Sequence, residues 1–342
     1  MSSKAVKIPI VLLCLLALAV PSPAKSWAGE TPPAGVFVSA EANPTHLHIG
    51  EITVVSVKLN NVSVEGYKSA EFTCTYDAAL VEKSNIVATD LFGADPAVVL
   101  HDPQNGTFIV AIAGANSNRA TTSGMAFSFS AKGLQAGQFA VQCTARVSMG
   151  DNVAIDIPSI GADLTILAAD VPPTPFESPT STPGDPQYPT PTSIPPELPT
   201  SVPSPYGFIS SQVIASKPVT ISLLEANTMT STSVVANPDG TFIQTALAGN
   251  YILLATASGF LSHQGSAVIT SGETTLKPAI HLLAGDIDGS NVIDQFDALT
   301  VGMSYTSSTP ASADLNSDGI IDFLDLELLA ENYRKTGPSV WE

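Results

Sequence analysis

The sequence predicts a mainly β chain of small domains that closes on a short α-helical unit. Three observations carry this. From Gly35 to about Leu167, and again from Tyr206 to His281, apolar residues recur at every second position in short segments. That is the period of strands with one buried face. Between these regions, 171–205 is crowded with Pro, Thr and Ser and holds about half of the chain's 27 prolines. Such a segment neither pairs into a sheet nor runs as a helix. From residue 284 onward the period changes, and Ala298, Val301, Tyr305 and Leu326, Leu329, Tyr333 fall at i, i+3, i+7, one face of a helix.

With 342 residues the chain has room for two to three domains. It carries 13 Lys+Arg against 31 Asp+Glu, a formal charge of −18, the wrong sign for a nucleic-acid binder. Charged residues make up only 13%, and abundant Ser, Thr, Gly and Val point to extracellular β-sandwiches.

Residues 1–28 read as a signal peptide. Lys4 and Lys7 precede an apolar run from Ile8 to Val20, and Ser22-Pro23-Ala24 or Ser26-Trp27-Ala28 offers a cleavage site. The alternative is an uncleaved anchor helix, for which the run is short against about 30 Å of hydrocarbon. Leu13 stands before Cys14, where a lipid-attachment site would want a small residue. No other segment is long and apolar enough to span a membrane, so a secreted, extracellular protein is expected. Cys74 and Cys143 then remain, and an oxidising compartment favours their pairing.

In the first region, strands are expected at Thr53–Leu59, Glu71–Tyr76, Thr107–Ile112, Met125–Phe129, Phe139–Val147 and Asp163–Leu167, with a turn at Asn105-Gly106. Alternation points Phe72, Cys74 and Tyr76 inward and Ser69, Glu71, Thr73 and Thr75 outward. The order Val57-Lys-Leu-Asn-Asn-Val62, Gly66, Ala70-Glu-Phe-Thr-Cys-Thr-Tyr-Asp77, Leu80, Phe127-Ser-Phe-Ser-Ala-Lys132 and a strand led by Gly137 resembles a cohesin across 35–168. The resemblance implies a jelly-roll sandwich that receives dockerin-bearing proteins. It places the strand of Ala70–Asp77 on the binding sheet, which makes Ser69, Glu71, Thr73 and Thr75 contact candidates. The bland alternative is plain sheet surface. It also sets the strand of Cys143 beside that of Cys74, implying a buried disulfide, against the alternative of two thiols behaving as small hydrophobes.

The segment 171–205 is expected to act as a spacer. At about 3.1 Å per residue it could hold its ends up to roughly 100 Å apart. In 206–283, strands are expected at Val219–Leu224, Ser233–Ala236, Thr241–Gln244 and Tyr251–Thr256. The succession Asp239-Gly-Thr-Phe242, Ala248-Gly-Asn-Tyr251 and Ser258-Gly-Phe260 resembles the carboxypeptidase regulatory-like, transthyretin-like β-sandwich, a non-catalytic module. It abuts the last domain almost without linker, so the two are expected to move as one body.

The last domain, 284–342, carries two acidic loops about 28 residues apart. Donors stand at loop positions 1, 3, 5, 9 and 12: Asp286, Asp288, Ser290, Asp294 and Asp297 in the first loop, Asp314, Asn316, Asp318, Asp322 and Asp325 in the second. Position 7, Val292 and Ile320, adds a backbone carbonyl. That is EF-hand-like spacing for calcium, a hard cation wanting roughly 6–8 oxygens. Position 6 needs positive φ, supplied by Asn291 and Gly319. Ile293 and Ile321 at position 8 could pair the loops back to back. Asp at position 12 and the lack of a helix before either loop make the duplication resemble a type I dockerin. The resemblance implies two calcium ions and docking onto a cohesin-bearing protein, with positions 10 and 11 (Gln295, Phe296, Phe323, Leu324) helping to choose the partner. The terminal Gly337-Pro-Ser-Val-Trp341 resembles tails that clasp the start of some dockerins; the alternative is a frayed end.

No catalytic constellation is legible: there is no Gly-x-Ser-x-Gly, His-Glu-x-x-His or phosphate loop. A non-enzymatic scaffold or adaptor in polysaccharide breakdown is expected, with glycoside hydrolases among its dockerin-bearing partners and self-association left open. Two rivals stand beside it: a carbohydrate-binding first domain, and a structural surface protein. Glycan sites usually present exposed aromatics, and here the aromatics have mostly inward parity.

Overall fold

The computed structural model describes residues 33–168 and 205–342. The expected signal peptide, 1–28, and all but the last residue of 171–205 lie outside the described residues. Among the described residues, no helix is long and apolar enough to cross a membrane.

The first domain is a two-layer sandwich of twelve strands: β1 (Phe37–Asn43), β2 (His46–His48), β3 (Ile52–Asn60), β4 (Ser69–Thr75), β5 (Val81–Ala88), β6 (Ala97–Gln104), β7 (Thr107–Ala113), β8 (Gly124–Gly133), β9 (Gly137–Ser148), β10 (Ile155–Ile157), β11 (Ser159–Ile160) and β12 (Ala162–Leu167). One sheet runs β11-β1-β3-β8-β5 and the other β2-β12-β9-β4-β7-β6, with β10 beside β9. Alternation decides the burial. Val55, Val57 and Leu59 of β3 are buried, as are Phe108, Val110 and Ile112 of β7. Between the layers the rings of Phe108 and Phe129 meet edge to face at 5.0 Å, and Phe72 and Phe127 at 5.3 Å. Gly106 closes the β6–β7 hairpin at φ +78°, where a Cβ would lie 2.2 Å from the Tyr76 carbonyl oxygen. Only glycine fits there.

Cys74 and Cys143 face each other in register on β4 and β9 and are joined by a disulfide within the core. It closes a sequence separation of 69 residues. Replacing both by alanine is expected to cost the first sandwich about 2–4 kcal/mol, mainly by freeing the unfolded chain. Urea unfolding of 33–168 measures it, and an unchanged midpoint contradicts it.

The second domain contains β13 (Tyr206–Ile214), β14 (Thr220–Glu225), β15 (Ser231–Val235), β16 (Thr241–Leu247), β17 (Gly249–Thr256), β18 (Phe260–Leu261), β19 (His263–Ile269), β20 (Thr274–Leu276), β21 (Ile280–His281) and β22 (Leu283–Ala284). One layer is β16-β13-β20, with β21 also on β13; the other is β15-β14-β17-β19. After it come α1 (Gln295–Met303), α2 (Phe323–Glu331) and β23 (Ser339–Trp341). The face expected to be apolar is buried in both helices: Ala298, Val301, Tyr305, Leu326, Leu329 and Tyr333. They share one hydrophobic cluster with Phe260, Leu261, Leu282 and Ile287, so the second sandwich and the helical unit have a common core.

The C-terminus clasps twice. Gly337 N donates to Asn291 O at 2.8 Å, and β23 then joins β19 as a parallel strand. Trp341 is 1% exposed, its indole Nε1 donating to Pro278 O at 3.0 Å. The pairing of position 8 differs from the back-to-back expectation. Ile293 bonds with the Arg334–Lys335 backbone, and Ile321 with Thr306 and Ser307. Each loop is therefore tied to the chain that follows the other loop's helix, which interlocks the repeats.

Candidate functional site

Each acidic loop shares its last two acidic positions with the start of a helix. Asp294 accepts from Phe296 N at 2.8 Å, while Asp297 accepts from Asp294 N at 2.8 Å. Asp322 and Asp325 repeat the arrangement at 2.8 Å from Leu324 N and 2.9 Å from Asp322 N. These are reciprocal capping boxes, which satisfy helix N–H groups that would otherwise be orphaned. The other oxygen of Asp297 accepts from Ile287 N and Asp288 N, and that of Asp325 from Leu315 N and Asn316 N. Position 12 therefore ties the loop's beginning to the helix. Asn291 and Gly319 have φ of +63° and +90°, and their N–H groups donate back to Asp286 and Asp314.

The donor set fits a hard cation. In the first loop, carboxylate oxygens of Asp286, Asp288 and Asp297 lie within 4.8 Å of one another. In the second, the buried Asp314 Oδ1 has no hydrogen-bond partner. Burial pushes the Asp297 carboxyl up to about 6 and that of Asp325 up to about 7, and raises Asp286. All-oxygen, carboxylate-rich loops are the chemistry of calcium rather than zinc. Ser290 and Asp318 lie in the exposed rims of the loops; the Ser290 hydroxyl donates to Val292 O, and Asp318 accepts from Ile320 N. The loops differ in surroundings. Lys217 Nζ of the second sandwich stands 3.7 Å from Asp314, and Arg146 of the first stands 3.3 Å from Asp322.

These shifts set a pH dependence. In chelator, the folded chain keeps protons on Asp297 to about pH 6 and on Asp325 to about pH 7. The unfolded chain releases them near 3.9. More protons bound to the folded state means stability falls as pH rises through that window. The stability gap between calcium-saturated and chelated protein is expected to widen from pH 5 to pH 7. Paired urea melts measure it, and a constant gap contradicts it.

The helical unit lies on the outer face of the β9-β4-β7-β6 sheet. Outward-facing Ala97, Val99, Ala111 and Ala113 share one apolar cluster with Phe323 and Leu324. Small side chains on the strands let the helices approach closely. Within this contact sits a polar cluster. Arg146 Nε and Nη2 donate to the two Glu71 oxygens, each at 2.9 Å, and Nη2 also reaches Asp322. Its guanidinium stands 5.0 Å from the Phe323 ring centroid. Tyr305 OH donates to Glu71 at 2.5 Å, and Ser69 Oγ to Glu327 at 2.5 Å. Burial first, and the Glu71 charge next, hold the Tyr305 phenol well above its usual range. Around the rim, His101 hydrogen-bonds Gly302 O at 3.2 Å, Lys68 lies 3.5 Å from Glu331, and Arg334 pairs with Asp95.

Of the outward residues of β4, Ser69 and Glu71 meet the helical unit. Thr73 and Thr75 lie farther along the strand, where Thr73 O accepts from Thr144 and Thr75 donates to Gln142 O. Phe323 and Leu324 are buried in the contact, whereas Gln295 is exposed and Phe296 is 58% exposed beside Val98–Leu100. Arg146, Glu327 and the Tyr305 hydroxyl escaped the sequence reading. Parity signals Arg146: it shares the outward side of β9 with Gln142 and Thr144, and its register partner is Glu71. No local signal marks Glu327, since its partner is 258 residues away.

No protein-family model matches the chain, and no curated protein matches it. Solved structures do. The seventh ScaB type I cohesin from Pseudobacteroides cellulosolvens is similar at 17% identity, covering 41% of this chain and 99% of that one, TM-score 0.33. The third cohesin of ScaC from Acetivibrio cellulolyticus, solved in complex with the ScaB dockerin, is similar at 13% identity, covering 39% and 99%, TM-score 0.35. A cohesin module of a family 33 glycoside hydrolase from Clostridium perfringens is similar at 14% identity, covering 40% and 98%, TM-score 0.36.

Proposed function

We propose that this chain is a secreted, non-catalytic scaffold or adaptor with a receiving face at one end and a calcium-folded docking unit at the other. The first sandwich, cohesin-like, receives dockerin-bearing proteins on the outer face of β9-β4-β7-β6. The C-terminal unit, dockerin-like, docks on cohesin-bearing proteins through α2 and the residues around it. The second sandwich, carboxypeptidase regulatory-like, is a rigid mount for that unit. Two calcium ions are held by Asp286, Asp288, Ser290, Val292, Asp294 and Asp297, and by Asp314, Asn316, Asp318, Ile320, Asp322 and Asp325. The ions supply the positive charge that lets these crowded carboxylates be buried without protons. The setting is extracellular polysaccharide breakdown, with glycoside hydrolases among the partners.

The observation that carries this reading is the Glu71–Arg146–Tyr305–Asp322 cluster. It is a fully paired polar cluster set within an apolar contact and bordered by charged pairs at the rim, so a partner lacking the matching groups leaves buried charges unpaired. The test is to offer 33–168, which has its own core, to the fragment 205–342 and to a glycan array. Calcium-dependent binding of the fragment and no retained glycan is the expected result. Glycan binding without fragment binding would replace this reading with the carbohydrate-binding one.

A further inference from the structure

We propose that the chain's resting form is closed on itself, its C-terminal unit seated on its own first sandwich, so that foreign partners must displace it at either end. This rests on the docking function proposed above and names its first occupant.

Three observations carry it. First, the polar groups of the two surfaces answer each other. Ser69, Glu71, Glu327 and Asp322 are each less than a tenth exposed, and each has a partner across the contact: Glu327, Tyr305, Ser69 and Arg146 in turn. A docking module without a carboxylate at the place of Glu327 and a phenol at that of Tyr305 would leave Ser69 and Glu71 short of partners, which is how recognition discriminates. Second, charges at the rim are complementary at separated points: Lys68 with Glu331, and Arg334 with Asp95. A third rim contact joins Asn316 to Asn152 at 3.1 Å. The fit therefore extends beyond one patch. Third, the covalent connection permits it. Residues 169–204 join the two halves, and a chain of that length reaches at most about 130 Å. A tether of this kind sets an effective local concentration of order millimolar, above any working concentration of a second copy. Closure within one chain therefore outcompetes docking between chains.

The inference is tested by measuring how tightly the isolated sandwich 33–168 binds two targets in calcium: the fragment 205–342 and the full chain. Both pieces hold their own apolar clusters. The expected result is that the full chain, monomeric by sedimentation, binds the isolated sandwich at least about a hundredfold more weakly than the fragment does. Ser69→Asp in the full chain sets a like charge against Glu327, opens the chain, and is expected to restore the fragment's affinity. Adding Glu327→Lys to it recloses the chain by reversing that charge. Equal affinity for both targets overturns closure and leaves docking standing. A full chain that grows into oligomers with concentration also overturns it, in favour of docking across copies. Failure of the sandwich to bind the fragment at all overturns the docking reading itself.

Discussion

Replacing Arg146 by alanine is expected to weaken the contact between the first sandwich and the C-terminal unit by about 2–4 kcal/mol, roughly thirty- to a thousandfold in affinity. Arg146 is the sole cation within hydrogen-bonding reach of both Glu71 and Asp322 among the described residues. Its loss leaves two carboxylates in a contact where both are almost wholly covered. The penalty comes from stranding those charges more than from the lost pair. The guanidinium is about one third exposed, so solvent recovers part of the cost. Arg146→Lys is expected to rescue only in part, because an ammonium cannot make the bidentate fork to Glu71 or stack on Phe323. Calorimetry of 33–168 variants with the fragment 205–342 reads both. An alanine variant with undiminished affinity would remove the polar cluster from the recognition surface.

The second large effect is expected at Asp325. Its carboxylate accepts from Leu315 N, Asn316 N and Asp322 N and completes the capping box of α2. Asp325→Ala orphans three backbone donors at a fully buried position and is expected to cost about 3–5 kcal/mol even without metal. Asp325→Asn keeps one acceptor oxygen but loses the charge. In chelator it is therefore expected to unfold nearer the unsubstituted protein, while losing most of the calcium-dependent stabilisation. Chelated and calcium-saturated urea melts of the three proteins separate hydrogen-bonding from metal-holding. Equal calcium stabilisation in all three would take Asp325 out of the ligand set.

How legible this was depends on the distance over which each feature is encoded. The strands of β3, β4, β7 and β9 follow from alternation because one face of each meets the core. Alternation does not pick out β1, β6 and β13, although Phe37–Asn43, Ala97–Gln104 and Tyr206–Ile214 are each long ladder members. In β1, Phe37 through Ala40 are buried in succession, and the period-two signal is erased there. In β6 the outward Ala97 and Val99 are apolar because the helical unit covers them. A second partner on the outer face turns an alternating strand into a continuous apolar one. The loops were legible because all their donors lie within twelve positions of one another. Their double role as helix caps was equally local: Asp294-x-x-Asp297 and Asp322-x-x-Asp325 stand before apolar runs, a capping signature. The contact itself was not legible beyond Ser69 and Glu71. Glu327 and Tyr305 owe their roles to a surface more than two hundred positions away.

The central claim is that two calcium ions complete the folding of the C-terminal unit, converting a marginally stable, partly helical chelated form into a docking-competent shape. Its most direct measurement is a calcium titration of the chelator-treated fragment 205–342, followed by calorimetry and far-ultraviolet circular dichroism together. The account predicts two ions bound per chain and a gain of helix for α1 and α2 that saturates with the second. It also predicts that Asp286→Ala with Asp314→Ala removes both signals. No calcium binding, or a full helical signal in excess chelator with the metal demonstrably gone, would contradict it.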